Sequence, residues 1–339
     1  MPLYRYILRR VLFVIPLLLG ITLVSFVIAN AVPADPINAN LPMNQLNNPV
    51  IVAAFRAKWG LDKPPIEQYL TYMTNLLHGD FGTSIKTHQA VASDIAQFLP
   101  ATIELATVGT IFGVVMGVLI GIISAVWRNH PVDFLARTLS VIGVSVPVYV
   151  LALLGLAILH GQLGIVAGLG RLNVRLSPPP NVTGLFTVDS LVAGQWSTFH
   201  DALAHLVLPS LVLGLYIAGL ISRVTRSSML EVLSADYMRT ARAKGLSERL
   251  VVLRHGLSNA LLPIVTVIGL SYGNLLSGAV LTESIFAWPG IGRYMFRAST
   301  SQDFPAIMGV SLLIAFIYVV VNLIVDILYY FIDPRIRAA

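Results

Sequence analysis

The chain has 339 residues, of which 56% are hydrophobic and only 11% are charged. Soluble domains carry about a quarter charged residues, so this composition excludes an ordinary soluble protein and predicts an integral membrane protein. The net charge of +6 does not indicate nucleic-acid binding, because the basic residues lie beside apolar runs and form no basic domain. The absence of cysteine excludes disulfides, thiol catalysis and thiolate metal sites.

Six apolar runs predict six transmembrane helices, since each reaches the roughly 20 residues that a helix needs to cross the hydrocarbon core. The first run is too long for the apolar region of a signal peptide, so we expect it to be retained as a span. We predict an all-α membrane protein with three regions: residues 1–34 with the first span, an external helical subdomain at 35–100, and a five-span core at 101–339. The six runs cover residues 11–34, 105–127, 138–162, 202–222, 256–282 and 304–325.

Basic residues set the expected orientation. Arg5, Arg9 and Arg10 precede the first span, which places the N-terminus in the cytoplasm by the positive-inside rule. Six crossings return the C-terminus, with Arg335 and Arg337, to the same side. This topology places 14 of the 22 Lys and Arg residues inside, whereas the reverse orientation would place them outside.

Two segments are predicted to lie outside. In the first, residues 51–59 and 66–77 carry apolar residues at helical spacing between turn-forming residues, which predicts two short helices. The second segment, residues 163–201, contains several glycines and the run Ser177-Pro178-Pro179-Pro180-Asn181. We expect it to be mostly irregular.

Glycines recur at every fourth position of the second span, at Gly109, Gly113, Gly117 and Gly121. Small residues on one helix face let another helix approach closely, because lipid supplies no hydrophobic drive for association. The stripe therefore predicts tight helix packing. The packed neighbour could belong to this chain or to a partner.

Two prolines lie inside predicted spans, Pro147 in the third and Pro209 in the fourth. Proline removes a backbone hydrogen bond and tends to kink a helix. Kinks at these positions could line a pathway or serve packing alone.

Catalytic signatures are missing from the sequence. No Lys follows a Gly, so the chain has no phosphate-binding P-loop, and any ATP must be hydrolysed by another chain. Ser145 and His160 are four turns apart, which does not indicate a serine protease. Asp201 and His205 could bind a metal together, although a hydrogen-bonded pair is the expectation, and His200 does not share their ligand face. We predict no catalytic residue and no metal site.

Acidic residues inside membrane spans are usually functional, because burying a charge in lipid is costly. Glu104 begins the second span and Asp326 lies near the end of the sixth. Both are predicted to be boundary or helix-capping residues. A proton-coupled carrier generally needs acids near the midplane, and no such residue is present.

The segment at 236–259 is a polar, basic insertion between two apolar spans. Its positive excess predicts that it leaves the membrane on the cytoplasmic side. We interpret it, within the loop at 223–259, as a docking surface. Its basic residues are Arg239, Arg242, Lys244, Arg249 and Arg254.

This segment resembles the cytoplasmic coupling loop of permeases of bacterial ABC importers. Of the general pattern only Ala241, Gly245 and Leu257 match, and Arg239 stands where that pattern has Glu. The form found here is much closer to the dipeptide/oligopeptide subfamily, which it resembles in several motifs that agree in order and spacing. These motifs are residues 60–64, 79–82, 225–231, 236–237, 239–246, 283–293 and 333–335, with His255 and Asn259.

The resemblance implies the permease fold of ABC importers in a bacterial inner membrane, surrounded by lipid. It also implies three kinds of protein partner: a second homologous permease, two ATP-binding subunits that hold ATP and Mg, and an external, periplasmic solute-binding protein. This chain would bind no cofactor itself. The implied ATPase-docking residues are Arg239, Thr240, Ala241, Gly245, His255, Leu257 and Asn259.

A second group of residues is implied near the outer mouth: Glu283, Trp288, Pro289 and Gly290. Trp288-Pro289-Gly290 also predicts a turn with an aromatic ring at the membrane interface. Polar or proline positions in the spans are candidates for lining the pathway. They are Pro147, Tyr149, Ser271, Tyr272 and Asn274.

Two other functions stay open, an ion-coupled carrier that works alone and a non-transporting membrane scaffold. The long basic loop without a P-loop favours the importer permease over both. The substrate is open among dipeptides, longer peptides, glutathione, haem precursors, nickel chelates and opine-like compounds, because the binding protein largely selects it.

Overall fold

The computed structural model describes residues 43–59, 62–277 and 279–332, together with positions 12, 15–24, 26–27, 37 and 41. The basic residues of the predicted N-terminal and C-terminal flanks lie outside the described residues. Regular structure in the described part is helical, with one isolated bridge between Thr83 and Ala90. The predicted all-α class is confirmed.

The region before the core contains an apolar helix, α1 (Ile15–Val24), and two amphipathic helices, α2 (Pro49–Trp59) and α3 (Pro65–Leu77). Each of the two predicted short helices begins at a proline, whose fixed φ suits the first helical turn. The Thr22 hydroxyl on α1 lies 2.9 Å from the Tyr69 hydroxyl on α3. The helices predicted at 51–59 and 66–77 are confirmed, whereas the region boundaries at 34 and 100 stay predictions.

Two long helices form the centre of the fold, α4 (Val91–Val126) and α8 (Trp196–Leu233). The predicted glycine stripe lies at their contact: a Cβ on Gly113 or Gly117 would lie 2.8 Å from Ile217 or Ile221 of α8. The prediction of tight packing is confirmed, and the neighbour belongs to the same chain. Pro209 lies inside α8, whose helix continues through it.

The predicted third span is broken. Helix α5 (Pro131–Ser145) is followed by α6 (Val148–Gly155), which continues as a π-helical segment at Leu156–Gln162. The two halves meet at an angle of 96°. Pro147 is the N-cap of α6, so the predicted kink is confirmed, and it divides the apolar run at 138–162 between two helices. Proline cannot donate the backbone hydrogen bond that would continue the helix.

The irregular segment predicted at 163–201 contains a helix, α7 (Phe186–Val192), and α8 begins inside it at Trp196. Residues 163–185 and 193–195 are irregular, so the prediction of a mostly irregular segment is confirmed. The helix within it follows a turn that Asp189 organises through hydrogen bonds from backbone amides. Proline and glycine content carries no signal for such a contact.

After α8 the chain forms a short polar helix, α9 (Asp236–Ala243), and then a continuous helix from Glu248 that is π-helical at Val251–Leu257. Helix α10 (Ser258–Leu276) continues it. The fifth span therefore ends before the predicted residue 282, because Ala279 leaves the helical conformation and a new helix begins. Three helices complete the chain: α11 (Val280–Ile285), α12 (Ile291–Thr300) and α13 (Phe304–Ile332).

Within the described residues, four helices are long and apolar enough to cross a membrane, or five when α5 and α6 count as one broken span. The protein is therefore multi-pass. The first predicted span, at 11–34, is described only in part, so the count of six stays a prediction.

The loops gather at two ends of the helix bundle. At one end, here called the subdomain end, residues 80–104, 163–201 and 283–305 contact one another; for example, the Gly170 amide donates to the Phe286 carbonyl over 2.8 Å. The opposite end, here called the α9 end, contains α9 and the loop between α4 and α5. There the Ser124 hydroxyl donates to Asp133 over 2.6 Å, and Arg226 binds the same carboxylate.

Candidate functional site

Helix α9 is a short helix that packs against the last turn of α8 and the first turns of the helix that follows it. This region is here called the base of the spans. Asp236 lies in its first turn, where the helix dipole stabilises a carboxylate. Gly245 follows its C-terminal end with a φ of 77°, a conformation that glycine adopts without strain. Met238 and Ala241, one turn apart, are buried against Val251 of the following helix. This apolar face fixes α9 against the helix that follows it.

The opposite face of α9 is polar and open to solvent. It carries Arg239 and Thr240, and Arg239 lies 3.4 Å from Asp236. Arg242 instead turns back to Glu248, which it contacts through two hydrogen bonds of 3.1 and 2.8 Å. This ion pair closes the loop between α9 and the next helix.

The predicted docking residues of α9 divide into two groups. Arg239, Thr240 and Gly245 are exposed and available to a partner, whereas Ala241 is buried and holds α9 to the base. Met238 was missed by sequence reasoning, although the spacing of 238 and 241 by three residues gives the buried face of a helix.

The other three predicted docking residues lie around the π-helical segment. Asn259 donates its side-chain amide to the His255 carbonyl over 2.7 Å, which satisfies a backbone group of that segment. Leu257 is half-buried in an apolar cluster with Met229 and Ile264. His255, Leu257 and Asn259 therefore lie on the helix that follows α9, where Asn259 is exposed.

At the subdomain end, Glu283 is completely buried. Its carboxylate accepts the Thr102 hydroxyl over 2.7 Å and the Arg293 amide over 2.8 Å. Burial raises the pKa of Glu283, and these hydrogen bonds oppose that rise only in part. A Cβ on Gly290 would collide with this carboxylate, so glycine is required there by space.

The predicted depth of Trp288 at a membrane interface stays a prediction, but its side chain does not face lipid. Its ring is buried, and its Nε1 donates to the Ala101 carbonyl over 2.8 Å. A buried indole with a satisfied donor packs the subdomain end onto α4. Pro289 and Gly290 line a cavity of about 460 Å³, whose walls also carry Lys86, Arg293 and Arg297.

Glu104 is not a helix cap, so that part of the prediction was wrong, whereas its place at a membrane boundary stays a prediction. It lies well inside α4, is buried, and forms an ion pair of 2.5 Å with Arg171. The amide and hydroxyl of Thr187 also donate to Glu104, over 2.8 and 2.7 Å. Asp326 lies inside α13 and is half-buried.

The predicted pathway residues form no single group. Pro147 and Tyr149 are exposed at the start of α6, while the other three residues lie on α10. Among those three, Ser271 is buried and Asn274 is exposed. The Tyr272 hydroxyl lies 3.1 Å from the Thr107 hydroxyl of α4.

The candidate catalytic and metal-ligating side chains serve the fold. His205 lies 3.2 Å from the Asp201 carboxylate, and that carboxylate also accepts the Asn173 amide over 2.7 Å. The Nδ1 of His160 lies 3.0 Å from the Val166 carbonyl, and Ser145 ends α5. Within the described residues no group of three or more His, Asp or Glu side chains could hold a metal ion.

Comparison with known proteins gives consistent matches. Residues 117–338 match the family of binding-protein-dependent transport system inner membrane components, and residues 3–106 match the N-terminal region of such components. The probable D,D-dipeptide transport system permease protein DdpB of Escherichia coli K12 is 44% identical over 94% of this chain and 93% of its own length. The dipeptide transport system permease protein DppB of Alkalihalophilus pseudofirmus is 43% identical over 98% and 99%.

A solved structure supports the fold. A chain of the MetNI methionine ABC transporter in an inward-facing conformation superposes with a TM-score of 0.54 at 16% identity, covering 70% of this chain and 96% of that one.

Proposed function

Because this chain belongs to the family of binding-protein-dependent transport system inner membrane components, we propose that it is one of two permease subunits of an ATP-driven peptide importer. The two relatives described above are named for D,D-dipeptide and dipeptide transport, which supports a peptide as the substrate. The proposed partners are a second, homologous permease, two ATP-binding subunits that hold ATP and Mg, and an external solute-binding protein.

The observation that carries this proposal is the construction of α9. One face is buried against the base of the spans through Met238 and Ala241, and the other presents Arg239 and Thr240 to solvent. A helix attached in this way transmits a push from a docked subunit to α8 and α10, between which it lies in the chain. Such a lever is what coupling to a separate ATPase requires.

We propose that the α9 end faces the cytoplasm, with both termini on that side. This orientation is supported by the positive-inside rule, because it places 14 of the 22 Lys and Arg residues on the cytoplasmic side. The subdomain end then faces the solute-binding protein. Its cavity carries two arginines at i and i+4, Arg293 and Arg297, and like charges at that spacing repel each other unless an anion lies between them. A surface carboxylate of the binding protein fits that position.

The coupling role is tested by two substitutions of Gly245. No atom lies within 4 Å of a Cβ at this position, so only the positive φ strains a side chain. Asn and Asp have the same shape and both tolerate a positive φ better than most residues, but only Asp adds a negative charge to the basic docking face.

We expect Gly245→Asp to lower uptake of a labelled dipeptide by tenfold or more, which is about 1.4 kcal/mol of lost coupling. Gly245→Asn should retain most of the uptake. Both variants should be found in the membrane at the parent level, as measured by immunoblotting of membrane fractions. Parent-level uptake by Gly245→Asp would remove this loop from the mechanism.

The assembly is tested by purifying the tagged chain from native membranes in mild detergent. We expect mass spectrometry to find a second permease and P-loop ATPase subunits bound to it. Recovery of this chain alone under crosslinking, with uptake abolished by an uncoupler and indifferent to ATP, would support an ion-coupled carrier instead.

A further inference from the structure

A basic cavity of about 200 Å³ lies between α4, α5 and α8 at the α9 end. Three arginines line it: Arg137 of α5, and Arg223 and Arg226 of α8. Two apolar side chains, Ile120 and Val141, complete the wall. None of these residues belongs to the docking face of α9 or to the subdomain end.

The positive charge of this cavity is only partly balanced. Asp133 is completely buried and accepts Arg226 through two hydrogen bonds of 2.9 and 3.0 Å. Arg137 lies 3.3 Å from the same carboxylate. Arg223 is exposed, and its side chain forms no hydrogen bond or ion pair with a described residue. Three guanidinium groups thus line the cavity, and the Asp133 carboxylate binds two of them.

The hydrogen-bond donors that have no acceptor among the described residues at the cavity belong to arginine side chains. The Ser222 hydroxyl donates to Ser140 over 2.7 Å, and the Ser140 hydroxyl donates to the Ala136 carbonyl over 2.7 Å. The Ser124 hydroxyl donates to Asp133. The hydroxyl protons are therefore committed, and the free N–H groups of Arg223 and Arg137 call for an anion with several acceptor oxygens. Phosphate has that chemistry, and arginine is the side chain best suited to bind it.

The depth of the cavity matches the headgroup region of a bilayer. On α4 an exposed apolar stripe, Ile111, Val115, Leu119 and Ile123, ends at the half-exposed Trp127. Tryptophan is typical of the membrane interface, and Ser124 lies three residues before it, about 4.5 Å along the helix. The cavity therefore opens where an acyl chain lying on this stripe would meet its phosphate.

We propose that this cavity binds the phosphate of an anionic phospholipid. The phosphate would lie between Arg137 and Arg223, and the acyl chains would lie against the apolar faces of α4 and α5. The bound phosphate would bridge two helices: α5, which is the first half of the broken span, and α8, which leads directly into α9. A free phosphate ion has the same charge but no apolar part, so it gains nothing from those faces.

The test uses the permease purified with its partner subunits, so that the cavity is examined in its assembled state. Lipid retention is measured by native mass spectrometry after exchange into phosphatidylglycerol or phosphatidylcholine, and the thermal unfolding temperature is measured with each lipid and with inorganic phosphate. We expect preferential retention of phosphatidylglycerol, and stabilisation by that lipid but not by inorganic phosphate.

The variant Arg137→Gln with Arg223→Gln leaves the pair of Arg226 and Asp133 intact, so the fold should be kept. We expect it to lose the preference by about fivefold for each arginine. The matched control is Arg128→Gln, an exposed arginine that follows Trp127 but does not line the cavity. It should bind phosphatidylglycerol like the parent.

Five outcomes would overturn the proposal. Four are equal retention of the two lipids, an unchanged preference in the double variant, an equal loss in Arg128→Gln, and equal stabilisation by inorganic phosphate, which would show an ion site in place of a lipid site. The fifth is the absence of bound lipid in the assembled complex, which would show that a partner subunit covers the cavity.

Discussion

Asp189 shows how a single side chain organises the subdomain end. It is buried, and its carboxylate accepts the Thr183 amide and hydroxyl over 2.9 and 2.7 Å and the Gly184 amide over 2.9 Å. Burial alone would raise its pKa, but the hydrogen bonds outweigh burial and hold the pKa of Asp189 below its ordinary value. The ionised form therefore stabilises the fold.

We expect Asp189→Asn to lower the free energy of unfolding by about 1–3 kcal/mol near neutral pH, because an amide accepts these hydrogen bonds less well than a carboxylate. The folded-state pKa is lowered, so the stabilisation is present above the ordinary aspartate pKa and is lost as the pH falls through the folded value. Thermal unfolding in detergent from about pH 7 to pH 3 checks this. A difference between variant and parent that does not shrink in acid would contradict it.

Sequence reasoning at the residue scale found the polar residues but not their partners. Glu104 was recognised as an acid inside a span, yet its cation, Arg171, is 67 positions away in a segment without a pattern. The exposed residues of α9 and its terminal glycine could be predicted because helix periodicity and capping are local. An ion pair between distant segments has no local signature.

The packing of α4 on α8 is the best predicted feature at the scale of elements. A stripe of glycines predicts that another helix packs closely on that face, and the structure shows that this helix is α8. The break of the third span was anticipated at Pro147, but its angle depends on the helices that α5 and α6 contact. Helix α7 was missed because it is short and stabilised by Asp189.

Two glycines of the stripe give a matched pair of substitutions. A Cβ on Gly121 would lie 2.5 Å from Thr225 and 2.8 Å from the Ser222 carbonyl, whereas a Cβ on Gly109 would lie at an ordinary 3.4 Å from Leu213. We expect Gly121→Ala to cost about 1–3 kcal/mol through overpacking. Gly109→Ala should be close to neutral, because alanine also favours a helix.

Thermal unfolding of the purified chain in detergent measures both variants. Equal destabilisation by the two substitutions would show that helix separation does not decide the effect. The loss of stability would then have to arise elsewhere, for example in membrane insertion.

At the scale of the whole molecule, each end of the bundle is fixed by a buried carboxylate. Glu104 and Arg171 join α4 to the segment at 163–185, and Asp133 and Arg226 join α5 to α8. Within the subdomain end, the Ser84 hydroxyl donates to Asp303 after α12 over 2.6 Å, and the Tyr294 hydroxyl of α12 donates to Asp94 of α4 over 2.8 Å. The apolar runs predicted the order of the spans, but not these cross-links.

We expect Glu104→Gln to loosen the subdomain end, because it leaves the buried Arg171 charge without its partner. Breaking a buried ion pair costs about 3–5 kcal/mol, while an exposed pair contributes about 0–1 kcal/mol. The control is Asp62→Asn, which removes the exposed pair with Arg56. Limited proteolysis should cut the segment at 163–185 faster in Glu104→Gln than in the parent or in Asp62→Asn. Parent-like cleavage would show that this ion pair does not hold the segment.

The 96° bend at Pro147 affects how stable the chain is before it assembles with its partners. It interrupts the helical hydrogen bonding between α5 and α6, and Pro147 and Tyr149 are exposed beside the break. Hydrocarbon cannot satisfy free backbone amides and carbonyls, so this surface needs protein or water against it. We therefore expect an unassembled copy to be less stable in the bilayer, and membrane quality control to degrade whatever is synthesised in excess of its partners.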